Sequence, residues 1–202
     1  ILGKRIKEVK VLYEGIIAMD IDAFKNNLPN QIFIDIARRG KFLIFELADY
    51  YLVSHLRMEG KYFIKSEDEP ISKHEHVIFY LDDITLRYHD TRKFGKMYLV
   101  SKPRLYLDTP LNKLGLEPWD DNLSSTYLLS KYNNNTPIKT LLLNQEVITG
   151  IGNITSSFSR NHHFLSRLPH TLQHNNLCAL PGCGNACHQA SGTAANHNHV
   201  GH

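Results

Sequence analysis

Four short strings combine cations, histidines and aromatic residues in patterns suited to contact with a polyanion. In the first, Arg38-Arg39-Gly40-Lys41, three cations flank a glycine directly before an apolar run. Such a cluster is either a solvated strand end, as charge clusters usually are, or a phosphate clamp. Lys41 is the residue of interest, because alternation along a strand can turn it to either face of a sheet.

The second string, His55-Leu56-Arg57-Met58, runs toward a glycine turn at Gly60. Alternation along a strand places His55 and Arg57 on one face and Leu56 and Met58 on the other. Met58 is then either a core residue that fills an irregular gap or an exposed apolar wedge of the kind that enters a base stack.

The third string, Lys73-His74-Glu75-His76, places two histidines on the same face of a strand. That is half of a metal site, but zinc requires three or four ligands and no neighbouring residue completes the set. We therefore expect no metal here, and we interpret His74 as a surface or phosphate-contacting residue.

The fourth string, Arg87–Gly95, interleaves basic and aromatic residues in a turn that follows a strand. It is either an ordinary polar hairpin end or a loop that probes a nucleic-acid duplex. In the second interpretation, Arg92 contacts a phosphate or base edge and Phe94 stacks.

The segments that carry these strings have the character of β-strands. They are short, rich in β-branched or aromatic residues and bounded by Gly, Asp or Pro, which predicts an antiparallel sandwich or barrel. A short helix capped by Asp20 or Asp22 is expected before them. The predicted helix covers 20–28, and the predicted strands cover 5–13, 32–36, 41–47, 51–56, 61–64, 76–81 and 84–90 joined by an Asp82-Asp83 turn, and 96–100.

After Pro118 the pattern becomes helical. One helix is predicted over 123–132 with Ser124 or Ser125 as N-cap, and another over 136–147 with Thr136 as N-cap and Pro137 in the first position. The run 150–153, Gly-Ile-Gly-Asn, ends one helix and opens another. Helix N-termini present free amides, which favour phosphate.

Composition places a boundary near Asn153. The chain has 202 residues, a net charge of +3 and 42% hydrophobic residues, which excludes a largely disordered protein. We expect neither a membrane span nor a signal peptide, because the apolar runs are short and the first residues lack the basic-then-apolar order. Residues 154–202 hold Arg160 and Arg167 as their only charged side chains besides histidine, together with eight of the twelve His and all three Cys.

We expect this tail, residues 155–202, to be irregular. Its hydrophobic residues are scattered without a sustained period. Cys178, Cys183 and Cys187 do not have the paired spacing of a zinc ribbon, so a dedicated metal site is not predicted. A reading-frame change is the favoured explanation of the composition.

Taken together, six ordered strings resemble the bacterial formamidopyrimidine-DNA glycosylase family from about residue 1 to 154. They are RRGKFLIFEL (38–47), SHLRMEG (54–60), KHEHV (73–77), LRYHDTRKFGKM (86–97), LGLEP (114–118) and IKTLLLNQEVITGIGNI (138–154). The resemblance implies an α+β chain. Its parts are an antiparallel β-sandwich domain over 1–117 without the family's N-terminal helix, an incomplete helical domain with a helix-two-turn-helix motif over 118–154, and the tail.

The resemblance also implies a function. The family excises oxidised purines such as 8-oxoguanine and formamidopyrimidines, then cuts the strand by β,δ-elimination, and it flips the damaged base out of the duplex first. The implied partner is double-stranded DNA with oxidised bases or abasic sites, bound by a monomer in the bacterial cytoplasm. No cofactor is expected in this chain, because the zinc finger of the family has no counterpart in it.

By the same resemblance, Lys41 matches the catalytic lysine, which contacts phosphate and is a proposed proton donor. The other matches are DNA-binding positions. His55 contacts phosphate, and Met58, Arg92 and Phe94 fill the gap left by the flipped base. His74, Lys139 and Asn153 also match DNA-binding groups, whereas a further family lysine falls near Asn134 here.

Departures from the family pattern leave three hypotheses open. The family's nucleophile is an N-terminal proline followed by glutamate, and this sequence begins Ile1-Leu2-Gly3. We therefore expect a fragment of a glycosylase/lyase that is itself inactive. The alternatives are a catalytically dead remnant that binds damaged DNA, and a pyrimidine-directed enzyme like endonuclease VIII.

Overall fold

Eight strands form two antiparallel sheets in the computed structural model, which describes residues 1–132 and 136–153. One sheet has the order β1-β6-β7-β5 and the other β2-β3-β4-β8. The predicted α+β class with an antiparallel sandwich is confirmed. The strands are β1 (Glu8–Val11), β2 (Phe33–Arg39), β3 (Phe42–Leu47), β4 (Tyr50–His55), β5 (Lys61–Lys65), β6 (Glu75–Tyr80), β7 (Thr85–His89) and β8 (Lys96–Ser101).

The main core lies between the sheets and is closed by one helix, α1 (Ile21–Asn27). Phe24 of this helix is fully buried, and Phe33 and Phe45 pack edge to face at 5.8 Å. Asp20 caps the helix, because its side chain accepts a hydrogen bond of 2.8 Å from the Ala23 amide. The sequence left open whether Asp20 or Asp22 caps the helix, and the structure shows that Asp20 is the cap.

The hairpin predicted at Asp82-Asp83 is confirmed. Leu81 donates a hydrogen bond of 2.8 Å to the Ile84 carbonyl, so two residues make the turn. The Asp82 carboxylate also accepts from the amide of Arg5 at 2.9 Å, which ties the turn to the segment before β1.

The helical part carries a smaller apolar cluster of its own, built on the buried residues Leu128, Leu141, Val147, Ile148 and Ile151. Its helices are α2 (Ser125–Lys131) and α3 (Ile138–Leu143). The Ser124 side chain caps α2 by accepting from the amide of Tyr127 at 3.2 Å, as one of the two predicted caps.

The prediction for α3 was wrong at both ends. Pro137, not Thr136, is the N-cap, because its backbone is extended (ψ 136°) while its carbonyl accepts from the Thr140 amide at 2.9 Å. The helix also ends at Leu143 rather than at residue 147. Asn144 turns the chain there, since its carbonyl accepts from the amides of Val147 and Ile148.

Several predictions fall outside the described residues. They concern the tail over 155–202, the second helix of the proposed DNA-binding motif and the position of Asn134. Within 1–132 and 136–153, no helix is long and apolar enough to cross a membrane.

Candidate nucleic-acid interface

Strand register gathers the predicted residues at one end of the sandwich. Phe42 at the start of β3 pairs with His55 at the end of β4, and His55 pairs with Lys96 at the start of β8. The same end of one sheet therefore carries Lys41, the 56–60 turn and the 91–95 loop. In the other sheet Glu75 pairs with His89, which brings His74 to that end as well.

Two neighbouring loops present Met58, Arg92 and Phe94 as one exposed group, called the wedge below. Met58 is 73% exposed and Phe94 50% exposed. The Arg92 guanidinium lies 4.8 Å from the centre of the Phe94 ring, and its Nη1 lies 3.2 Å from the sulfur of Met58. A hydrogen bond from Thr91 to Glu59 also joins the loops.

The exposed position of Met58 decides whether this residue belongs to the core or to the surface. Strand β4 ends at His55 and Arg57 adopts a positive φ of 56°, so the strand alternation expected over 55–58 stops. Leu56 remains half-buried against the core, whereas Met58 points into solvent. The interpretation of Met58 as a core residue was therefore wrong.

His55 is a neutral hydrogen-bond donor at physiological pH. Burial, together with the positive charges of Arg57 and Lys41, lowers its pKa to about 4. Its Nδ1 accepts a hydrogen bond of 3.0 Å from the Arg57 amide, so the proton of the neutral ring resides on Nε2. The ring packs edge to face on Phe42 at 4.6 Å. The arrangement leaves Nε2 as a donor for an anion such as phosphate.

Lys41 follows the tight turn at Gly40 and approaches the helical part at Gly152. A Cβ built on Gly152 would lie 3.6 Å from the Lys41 ammonium, an ordinary contact distance, so the ammonium lies next to this glycine. Burial lowers the pKa of Lys41 below its usual value. A lysine with a lowered pKa is better able to exchange a proton at neutral pH.

The other two cations of the first string have a structural role. Arg38 and Arg39 lie 3.6 and 3.7 Å from the buried carboxylate of Glu117. Glu117 also accepts from the amide of Gly40 at 2.7 Å. Arg38 and Arg39 therefore share one buried carboxylate, which leaves the string with a net positive charge, and the three-cation phosphate clamp stays a prediction.

The two histidines of the third string differ in how deeply they are buried. His76 is buried, and its Nε2 lies 2.7 Å from the Asp90 carbonyl oxygen. His74 is half-buried, with its ring 5.5 Å from that of His89. Within the described residues no group of three or more His, Cys, Asp or Glu could hold a metal ion. Cys178, Cys183 and Cys187 lie outside that range.

The two predicted residues of the helical part differ in their relation to this end. Asn153 is exposed and directly follows Gly152, the glycine that the Lys41 ammonium approaches. Lys139 is half-buried in the first turn of α3. Its proposed contact with DNA stays a prediction.

Sequence reasoning missed three residues that hold this end together. Glu117 fixes the Gly40 turn, and Tyr88 and Asp90 lie buried beneath the wedge. All three stood inside the quoted strings without a role. Glu117, next to Pro118, and Asp90, at the end of a strand, have the sequence character of solvated turn residues, and nothing in the sequence set Tyr88 apart from the other strand residues.

Comparisons with known proteins agree with this geometry. The family model "Formamidopyrimidine-DNA glycosylase N-terminal domain" matches residues 1–97. A formamidopyrimidine-DNA glycosylase of Halalkalibacterium halodurans is 45% identical over 158 residues, covering 76% of this chain and 58% of that protein. One of Cytobacillus firmus is 39% identical over 186 residues, covering 89% of this chain and 68% of that protein.

Solved structures are similar too. The Lactococcus lactis enzyme in complex with DNA containing an abasic site has a TM-score of 0.72 and 34% identity, covering 77% of this chain and 58% of that one. The same enzyme with DNA containing Fapy-dG has a TM-score of 0.71 and 35% identity, covering 76% of this chain and 59% of that one. The chain thus spans somewhat more than half the length of most of these relatives.

Proposed function

The chain belongs to the formamidopyrimidine-DNA glycosylase family, and from this premise we propose that it carries the lesion-recognition part of a DNA base-excision repair enzyme. The proposed activity is removal of oxidised purines followed by β,δ-elimination at the abasic site. The proposed partner is double-stranded DNA that contains such a lesion, bound by a monomer in the bacterial cytoplasm.

One observation carries this proposal: the wedge and two phosphate-binding candidates share one end of the sandwich. Met58, Arg92 and Phe94 form an exposed group with an apolar, a cationic and an aromatic member. Side chains of this kind can enter the space of a flipped nucleotide and keep the helix open. Lys41 and His55 lie at the same end of the sandwich, and we assign them to the phosphates that flank the flipped nucleotide.

The charge states of Lys41 and His55 suit them to neighbouring contacts with the phosphate backbone. His55 is uncharged, so it donates from Nε2 without repelling the neighbouring ammonium. Lys41 supplies the charge, and its ammonium lies next to Gly152. Phosphate contacts of this type position the DNA without reading its sequence. Lys41 is also the proposed proton donor, which fits its lowered pKa.

The test uses duplexes with a single 8-oxoguanine, a single oxidised pyrimidine or a single abasic site. Incision is followed on gels, binding by gel shift and covalent capture of the abasic site by borohydride. Preferential binding of the 8-oxoguanine and abasic duplexes supports the proposed recognition of the lesion, and their incision or capture supports the proposed activity. A preference for oxidised pyrimidines would favour an enzyme like endonuclease VIII, and binding without incision or capture would favour a non-catalytic damage-binding protein.

A matched pair of variants assigns the effect to the proposed site. Lys41→Ala is expected to weaken binding of the abasic duplex. Lys7→Ala removes another exposed lysine, whose ammonium bonds the Asp82 carbonyl at the opposite end of the sheet, and should bind like the unaltered chain. Equal loss in both variants would contradict the proposed site.

A further inference from the structure

A buried carboxylate holds both ends of the loop that carries Arg92 and Phe94. Asp90 is 1% exposed. Its Oδ1 accepts from the amide of Arg92 at 3.0 Å, and its Oδ2 accepts from the amide of Gly95 at 2.9 Å. One side chain therefore fixes where the loop leaves the sheet and where it returns.

The charge of Asp90 is stabilised by these donors. Burial alone would raise the pKa of Asp90, but the hydrogen bonds from the Gly95 and Arg92 amides and the Tyr88 hydroxyl outweigh it, and the pKa is lowered overall. Asp90 is thus an anion that accepts only. The Nε2 of His76, 2.7 Å from its carbonyl oxygen, holds the backbone of the same residue.

The Tyr88 hydroxyl connects this loop to the one that carries Met58. It donates to Asp90 Oδ2 at 3.2 Å. Both loops also close directly onto it: a Cβ on Gly95 would lie 1.8 Å from the hydroxyl oxygen, and a Cβ on Gly60 would lie 2.4 Å from it. Two glycines, one from each loop, therefore rest on the same buried oxygen.

We propose that Tyr88 and Asp90 are positioning residues that set the height and spacing of Met58, Arg92 and Phe94 for entry into a DNA duplex. This inference rests on the proposed function of that group. A wedge must displace stacked bases, and ordering flexible side chains during binding would oppose this. A buried, fully hydrogen-bonded pair beneath both loops removes that cost, because the loops are already held in the binding geometry.

The test separates insertion from binding. The 202-residue chain is titrated with a duplex in which the fluorescent base 2-aminopurine lies opposite a tetrahydrofuran abasic site, and with the matching intact duplex. Insertion unstacks the probe and raises its fluorescence. For Asp90→Asn we expect the preference for the abasic duplex to fall about tenfold, with loss of most of the fluorescence rise. Affinity for the intact duplex should stay the same.

Asp90→Asn is suited to this test because asparagine has the same shape but one acceptor oxygen. Its amide nitrogen would face an N–H donor that the aspartate now satisfies. Asp82→Asn is the matched control, since this aspartate also accepts from a backbone amide, at the opposite end of β7. The control should retain both the preference and the fluorescence rise.

Each outcome decides the inference. If Asp90→Asn retains the full fluorescence rise, the positioning role is refuted while the proposed function stands. If the unaltered chain binds the abasic duplex without any rise, there is no inserting group, and both the proposed function of the wedge and this inference fail. If Asp90→Asn does not fold, Tyr88→Phe decides, because it removes only the hydroxyl: a reduced rise supports the inference, and an unchanged rise overturns it.

Discussion

Glu117 offers the sharpest test of how the Gly40 turn is held. Its carboxylate accepts from the Gly40 amide at 2.7 Å, and Arg38 and Arg39 lie within 4 Å of it. The turn itself is crowded, because a Cβ on Gly40 would lie 2.2 Å from the Thr149 hydroxyl. Replacing Glu117 therefore tests whether a buried acceptor or the ion pairs stabilise this junction.

The magnitude follows from what each interaction leaves behind. Glu117→Ala leaves the Gly40 amide buried without its acceptor, which costs about 1–3 kcal/mol. The two arginines are 43% and 27% exposed in their side chains, so each ion pair contributes at most about 1 kcal/mol. We expect Glu117→Ala to lower the free energy of unfolding by about 2–4 kcal/mol. Glu117→Gln keeps an acceptor and should lose about 1 kcal/mol.

Urea unfolding followed by far-UV circular dichroism measures these differences from the transition midpoints. The alanine variant should unfold at clearly lower urea than the glutamine variant, with an unchanged m-value. Glu146→Ala, at an exposed glutamate that follows α3, serves as the control and should match the unaltered chain. If Glu117→Ala and Glu117→Gln are equally destabilised, the Gly40 hydrogen bond is not the main contribution and the reasoning fails.

Three further predictions concern charge. Lys41→Ala should weaken binding to abasic duplex and reduce by about one the slope of log affinity against log salt, measured by gel shift. NMR titration of His55 should give a pKa of about 4. Because this pKa lies below the unfolded value of 6.5, the unfolded chain binds the proton more readily, and the free energy of unfolding should fall as the pH drops from about 6.5 towards 4. Arg87, 1% exposed, donates five hydrogen bonds and pairs with Glu75 at 3.1 Å, so Arg87→Met should cost about 3–5 kcal/mol in urea unfolding.

Each of these has a clear contrary result. A salt slope that does not change in Lys41→Ala would mean that this ammonium contacts no phosphate. A pKa near 6.5 for His55 would mean that the ring is solvated. An Arg87→Met variant as stable as the unaltered chain would show that the buried pair with Glu75 is dispensable.

Sequence patterns predicted the sheet elements well because each is encoded locally. The hairpin at Asp82-Asp83 and the Asp20 cap of α1 depend on residues within four positions of each other. The error at the start of α3 arose because local sequence allowed two alternatives. Thr136 and Pro137 both suit a helix start, and the backbone angle at Pro137 decided between them; residue types alone leave a helix end uncertain by one or two positions.

The candidate site was predicted residue by residue, but its arrangement was not. The resemblance assigned Lys41, His55, Met58, Arg92 and Phe94 to DNA. Alternation alone put Met58 on a face shared with Leu56 and left it as core or wedge. The end of β4 at His55 and the positive φ of Arg57 resolved that choice, and neither can be read from a period of two.

The family, the strand and helix types and the residues available for chemistry follow from the sequence, because these depend on short-range patterns and on residue identity. The pairing of charges became clear only from the folded chain. Arg38 and Arg39 both lie within 4 Å of the Glu117 carboxylate, which is 79 and 78 positions away along the chain, whereas the Lys41 ammonium in the same string lies near Gly152. Electrostatic pairing depends on distance in space and on burial, and a sequence records neither.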